Sequence, residues 1–276
     1  MASIFDRRQF LTIGAAAAAT AALIESAGPA KAANNSDELI KKFTGGKTPG
    51  QGRVKLDLPE IAENGNTVPM TVSVESPMTE QSHVTDVLVV ADGNPNAGVA
   101  TFHFSPASGV AEANTRMRLA TTQDVIAIAK MSDGSFFMAS KQVKVTIGGC
   151  GGGTAPADQA SVTRRNDMAD VKPRIKLDKK EAKQGDLIEV KALVSHIMET
   201  GQRKDSAGNT IPRKILNKFT CTVNGKEVFS ADFEPAISAN PYIQFKFRAQ
   251  ESGPVVLTWI DDDGSKIVGE ESITVS

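Results

Sequence analysis

The sequence predicts a mainly β protein: two immunoglobulin-like or fibronectin-like β-sandwich domains in tandem, with one short helix behind a cleaved leader. Three observations predict it. Apolar residues recur with a period of two in short runs rich in Val, Thr and Phe. Asn, Asp, Gly and Pro sit between those runs, where tight turns need them. And 276 residues suffice for two cores, since domains usually run about 100–150 residues.

The first 32 residues read as an export signal. Arg7 and Arg8 stand directly ahead of an Ala-rich apolar run from Leu11 to Ile24, too short to span a bilayer comfortably. Ala30-Lys31-Ala32 then supplies the small-x-small pattern cut by a signal peptidase. The stretch resembles a twin-arginine signal, departing from its usual pattern at Asp6 and Thr12. Such a signal implies a mature protein in an oxidising periplasm, with no membrane anchor after cleavage.

Ser36 to Gly45 reads as a helix, with Ser36 as the N-cap, acids in the first turn, lysines in the last and Gly45 as the stop. Strand-like runs follow at Val68–Val74, Val84–Ala91, Val99–Ser105, Asp124–Met131 and Ser135–Ile147, the last two joined across Asp133-Gly134. Residues 33–147 therefore form the first sandwich. From 148 to 172 the chain is Gly-rich, then Ala-, Pro-, Ser- and Thr-rich, with no apolar period, which marks a linker. Strands resume at Arg174–Leu177, Asp186–His196, Lys214–Val223, Glu227–Phe233, Tyr242–Phe247, Val255–Ile260 and Ser265–Val275. Asn224-Gly225 is the strongest hairpin signal among them. Residues 173–276 make the second sandwich. The architecture repeats, although no internal repeat is visible in the residues.

Composition removes several functions. Charges nearly cancel, 31 Lys and Arg against 32 Asp and Glu, so there is no basic stripe for nucleic acid or an anionic membrane. Aromatic residues are few and almost all Phe, which argues against stacking platforms for single strands. Two cysteines and three scattered histidines (His83, His103, His196) lack metal-ligand spacing, so no metal or other cofactor is expected. His103 faces away from Phe102 and reads as solvated; His196, at a strand end, reads as a turn or interface residue. Asp261-Asp262-Asp263-Gly264 opens like a calcium loop but has no Glu at the required spacing, so it reads as a turn.

The chemistry is concentrated in Gly148-Gly149-Cys150-Gly151-Gly152-Gly153. No Gly-Lys-Ser/Thr and no following helix support a phosphate loop, and no βαβ unit supports a dinucleotide site. Glycines around a thiol give the backbone access to positive φ and to narrow clefts. Six extended residues reach about 20 Å. A catalytic cysteine requires a fixed base and an orienting shell, and this segment contains no His. The pattern suits a swinging carrier arm with Cys150 as its attachment atom. Cys221, on one face with Phe219 and Val223, reads as a buried structural thiol.

Val143-Lys144-Val145-Thr146-Ile147-Gly148-Gly149-Cys150-Gly151-Gly152 resembles the carrier arm of SoxY, a subunit of the periplasmic sulfur-oxidation (Sox) system. Leu58 to Pro69 and Met131 to Ser135 are similar to the same family, whereas His196 to Gly201 and Ser238 to Tyr242 resemble its partner family, SoxZ. The resemblance covers nearly the whole mature chain and implies a SoxY–SoxZ fusion. It implies that Cys150 holds thiosulfate-derived intermediates covalently, with Gly148, Gly149, Gly151, Gly152 and Gly153 as its flexible arm, and that the carrier catalyses no step. The implied partners are a c-type cytochrome enzyme (SoxAX-like) that couples thiosulfate to the thiol, a hydrolase (SoxB-like) that releases sulfate, and a sulfane dehydrogenase (SoxCD-like). The family's arm ends its subunit, whereas here the chain continues past Gly153, so the arm is tethered at both ends. About 25 flexible residues have a root-mean-square span near 28 Å, which leaves slack but restricts deep threading. Other readings stay open: a thiol enzyme with Cys150 as nucleophile, a carrier for another periplasmic dehydrogenase, or a plain tandem binding module.

Overall fold

The computed structural model describes residues 34–148 and 171–276. The leader, Cys150, Gly149, Gly151 to Gly153 and most of the linker lie outside the described residues. A short helix, α1 (Ser36–Thr44), opens the fold. Its N-cap is Asn35, one residue earlier than expected, and Gly45 closes it in the left-handed conformation. The shift has a cause: the Asn34 side chain accepts a hydrogen bond from the Ser36 amide, so the chain turns into the helix before Ser36.

Eight strands come from the first half: β1 (Val54–Asp57), β2 (Ile61–Ala62), β3 (Val68–Val74), β4 (Val84–Ala91), β5 (Gly98–Phe104), β6 (Ala111–Met117), β7 (Gln123–Met131) and β8 (Phe136–Val145). Eight more come from the second: β9 (Arg174–Leu177), β10 (Glu181–Ala182), β11 (Leu187–Leu193), β12 (Leu216–Val223), β13 (Lys226–Phe233), β14 (Tyr242–Arg248), β15 (Gly253–Asp261) and β16 (Lys266–Val275). The Asn224-Gly225 hairpin between β12 and β13 has positive φ at both residues, as a type I′ turn requires. Four strands, β1, β2, β6 and the two-residue β10, had no sequence signal strong enough to name them. In β6 the buried positions are Ala111, Ala113, Thr115 and Met117, too small and too polar to stand out, while β1 and β2 are only four and two residues long.

The strands form two layers. One sheet runs β1-β3-β6-β14-β11-β9 and the other β10-β16-β15-β12-β13-β5-β4-β7-β8-β2. Each half contributes the same pattern, with every strand of the first matched by the strand eight places later: β1-β3-β6 by β9-β11-β14, and β2-β8-β7-β4-β5 by β10-β16-β15-β12-β13. Even the unusual parallel pair of β2 with β8 recurs as β10 with β16. The halves join where equivalent strands meet antiparallel, β5 beside β13 and β6 beside β14. That arrangement is the strand order of a local two-fold axis, as in an isologous dimer.

Joining the edges removes two exposed ladders that would otherwise be sites for association. It also merges the interiors into one apolar cluster that draws on both halves. Phe229 of β13 lies at its centre. Its ring stacks on Phe245 at 4.2 Å and meets Phe104 edge-on at 5.3 Å, with Phe102 at 6.2 Å. Burying a Phe side chain contributes roughly 1.5–3 kcal/mol, and aromatic pairing adds about 0.5–1.5 kcal/mol. Polar contacts cross the junction as well: the Ser108 hydroxyl donates to the Val228 carbonyl at 2.7 Å and the Thr115 hydroxyl to the Tyr242 carbonyl at 2.7 Å. None of the helices among the described residues is long and apolar enough to cross a membrane.

Candidate functional site at the root of the glycine arm

Strand β8 leads toward Cys150, and its end is held tightly. The Lys144 amide donates to Glu60 and the Thr146 amide to Ala62, while the Gly65 amide donates to the Ile147 carbonyl at 2.7 Å. The Thr146 hydroxyl also reaches the Glu63 carbonyl at 3.0 Å. The segment Leu58 to Pro69, which carries part of the family resemblance, thus forms a bracket around the strand end that precedes Gly148. The bracket's other side is the segment after β6, where the Leu119 amide donates to Gly65 at 2.8 Å.

Gly148 is the last described residue before the thiol. A Cβ there would sit 2.1 Å from the Ala120 carbonyl oxygen, closer than any real contact, so this backbone path accommodates only glycine at 148. Of the predicted arm glycines, Gly148 thus has a steric reason to be glycine. Ile147, immediately before it, is 67% exposed, an unusual setting for a large aliphatic side chain.

The two second-half motifs meet beside this root. The His196 amide donates to Asn240 Oδ1 at 3.1 Å, and the Asn240 amide donates to the His196 carbonyl at 2.7 Å. Met198 and Asn240 both take positive φ, a cost of order 1–3 kcal/mol that surrounding contacts must offset. Arg118 is one source of those contacts. From the first half, its guanidinium donates to the carbonyls of Met198 at 2.8 Å and Ile197 at 3.2 Å. The Arg118 amide donates to Ala236 at 2.6 Å, and the Ser238 hydroxyl to Asn66 at 2.8 Å. Arg118 joins the two halves at the arm's root; nothing in its own sequence neighbourhood marked it, since the partners of its guanidinium lie about eighty residues or more away.

His196 is buried, as an interface residue would be. Its Nε2 faces Asp261 Oδ2 at 3.0 Å, and its Nδ1 accepts from the Met198 amide at 3.0 Å. An accepting Nδ1 places the proton on Nε2, donating to Asp261, and burial holds the ring's pKa below its ordinary value despite that carboxylate. Both nitrogens are occupied and the ring is enclosed, so His196 locks the motif and offers no base to a substrate. Asp262 and Asp263 are turn residues, as expected. Asp262 takes a fork from Arg213, and Asp263 accepts from Ser265, which together with Lys214 draws its carboxyl down to about 2.

His103 corrects its sequence reading. It does point away from Phe102's buried face, yet it is not simply solvated: Nδ1 lies 2.7 Å from Asp86 and Nε2 3.0 Å from Asp232 of the second half. The Asp86 hydrogen bond, with Asp232 adding to it, raises the imidazole's pKa against the opposing effect of burial. Cys221 is fully buried among core side chains, and burial pushes its thiol far above the ordinary range, so it is neither a nucleophile nor reachable from the surface. No group of three or more His, Cys, Asp or Glu among the described residues is placed to hold a metal ion.

Comparison with known proteins agrees with this division. Residues 40–150 match the family "Sulfur oxidation protein SoxY" and residues 175–271 the family "Sulphur oxidation protein SoxZ". No curated protein matches the chain. Among solved structures, it is similar to the sulfur carrier protein SoxY from Chlorobium limicola f thiosulfatophilum, at 29% identity over 40% of this chain and 90% of that one, with a TM-score of 0.35. It is also similar to a superoxide reductase (neelaredoxin) from Ignicoccus hospitalis, at 18% identity over 34% of this chain and 80% of that one, with a TM-score of 0.32. With both matches in one polypeptide, end to end and sharing one core, the chain is a SoxY–SoxZ fusion and belongs to the sulfur-oxidation carrier family.

Proposed function

We propose that this chain is a non-catalytic periplasmic carrier that holds thiosulfate-derived sulfur covalently on Cys150 and presents it to partner enzymes for oxidation to sulfate. The observation that carries the reading is positional: the SoxY match runs to residue 150, two residues beyond the point where Gly148 is wedged against Ala120. The remaining cysteine, Cys221, is sealed in the core, which leaves Cys150 as the thiol for the chemistry.

The Cys150 sulfur and the sulfane sulfur of thiosulfate form an S–S bond, and two electrons leave to a c-type cytochrome enzyme while the thiol proton goes to solvent. Water then cleaves the terminal sulfonate as hydrogen sulfate, by a hydrolase, and leaves a persulfide on Cys150. A sulfane dehydrogenase removes six electrons from the outer sulfur, with three waters supplying oxygen, to give a cysteine S-sulfonate. A second hydrolysis frees it and restores the thiol. The carrier's own part is reach and orientation, which a bracketed root and a glycine arm supply.

The test is intact-mass and peptide mass spectrometry on protein purified from thiosulfate-grown cells, with and without reductant. Sulfane or sulfonate adducts that map to Cys150 and disappear on reduction are the expected result. An unmodified Cys150 thiol under every condition overturns the reading. The same masses report whether the leader has been removed, as periplasmic export requires.

A further inference from the structure

A cleft of about 310 Å³ opens on the second half, between the segment after β11 and the turn after β15. Its walls are apolar, from Ile197, Ile211 and Pro212, and its floor carries carboxylates. One of these stands apart. Glu199 is only 4% exposed, and although Arg203 binds its Oε2, its Oε1 is buried with no hydrogen-bond partner. The other charged lining groups are already matched: Lys214 reaches Asp263 at 3.2 Å, and Arg213 forks onto Asp262.

A buried carboxylate oxygen without a donor is costly, and the donor that best offsets it is charged. The shape narrows the choice further. Apolar walls over a carboxylate floor suit a side chain with an aliphatic stem and a cationic head, the form in which Lys and Arg bury methylenes. A metal ion fits poorly, since no three ligating side chains converge there. We propose that this cleft is a docking socket for a basic side chain, lysine or arginine, of a partner protein.

The socket's location adds to the argument. Its wall residue Ile197 and the adjoining Met198 are the residues whose carbonyls Arg118 binds, and Arg118 lies two residues before the Ala120 carbonyl that Gly148 packs against. Arg118 thus ties the rim of the cleft to the segment that brackets the arm's root. The inference goes beyond the carrier reading and does not need it, because the cleft's chemistry is independent of what Cys150 bears.

The experiment is an NMR titration of the isotope-labelled full chain with N-acetyl-arginine amide and N-acetyl-lysine amide, and with N-acetyl-glutamine amide as the neutral control. The expected result is saturable shifts at the amides of Ile197, Glu199, Lys214 and Asp262 with the two cations and none with the neutral amide. Glu199→Gln removes the charge and keeps the shape, and it should weaken binding by about tenfold. Because that variant also loosens Arg203, a second one keeps Glu199: Ile211→Lys puts a resident ammonium into the cleft and should compete the probes away. No saturable shift with either cation, equal shifts with the neutral amide, or undiminished binding in both variants overturns the proposal. Failure here leaves the mass-spectrometric test of Cys150 untouched.

Discussion

The two halves share a strand order and differ in what they do with its ends. In the first half the last strand, β8, runs past its parallel partner β2 to Gly148 and the thiol. In the second half the equivalent strand, β16, runs beside β10 to Ser276, and its terminal amide is tied to Ala182. The second half spends its variation elsewhere: the connection from β11 to β12 covers residues 194–215, against 75–83 for the equivalent connection in the first half. That longer connection holds the His196 lock, the contacts to Arg118 and the socket around Glu199. One framework used twice thus leads into the glycine segment 148–153 on one side and builds a brace and a cleft on the other. The pairing of equivalent edges puts the two products at one place.

The sharpest way to break this comparison is at the junction. If the shared core makes the halves one cooperative unit, Phe229→Ala should remove about 3–5 kcal/mol from the whole molecule, since the ring packs on Phe102 and Phe104 as well as on Phe245. Urea unfolding followed by the fluorescence of Trp259, the single Trp, reports the second half, and far-UV circular dichroism reports both. The two curves should coincide in the parent and shift together in the variant. Separate transitions, with the first half unmoved, would show two independent sandwiches.

Much of the framework was legible because strand faces repeat with a period of two. Val68–Val74 alternates buried and accessible residues along its length, as its sequence does. What escaped has physical causes. β6 buries Ala, Ala and Thr, so packing against β14 defines it where hydrophobicity does not. Phe102 and Phe104 were readable as sharing one strand face, but their contact with Phe229 rests on a pairing between edges, and backbone ladders leave no residue signature. His103 looked solvated because its carboxylates lie on neighbouring strands, one of them 129 residues away. Cys150 stands out in the sequence for the opposite reason, since a thiol among glycines owes nothing to tertiary context, and its role rests with the mass-spectrometric test. The bracket that makes Gly148 obligatory was not legible, since the Ala120 carbonyl arrives from another loop.

A smaller effect sharpens the view of the arm's root. Gly148→Ala drives a methyl group into the Ala120 carbonyl, and backbone must move on one side or the other. The expected cost is about 1–2 kcal/mol, the lower part of the range for an overpacked site, because Gly148 lies at the edge of the fold. Thermal unfolding measures that loss, and shifts of the Gly65, Leu119 and Ala120 amides locate it. Ala substitution at Ser276, whose amide pairs with Ala182 as that of Thr146 pairs with Ala62, should do neither. An unshifted Gly65 amide in Gly148→Ala would mean that the bracket does not hold the arm.

The smallest expected effect tests whether the junction responds to pH. His103 bridges Asp86 of its own half and Asp232 of the other, and Lys130 also faces Asp86, at 3.7 Å. Burial works against the charge on Asp86, but hydrogen bonds from His103 and Thr85 hold its carboxyl below the usual range, so it stays ionised in mild acid. The imidazole's pKa is raised in the folded chain. A raised pKa means that the bridge's contribution is fully present below the unfolded value of about 6.5 and is lost as pH climbs through the folded value. His103→Gln should therefore destabilise more at about pH 5.5 than at about pH 9, the latter well above any modestly raised imidazole pKa. Solvent screening keeps the difference to a few tenths of a kcal/mol up to about 1 kcal/mol. Urea midpoints of parent and variant at both pH values measure it. A gap of the same size at both would show that the two carboxylates hold the ring by neutral hydrogen bonds alone, and that packing between β5 and β13, with no help from charge, keeps the halves together.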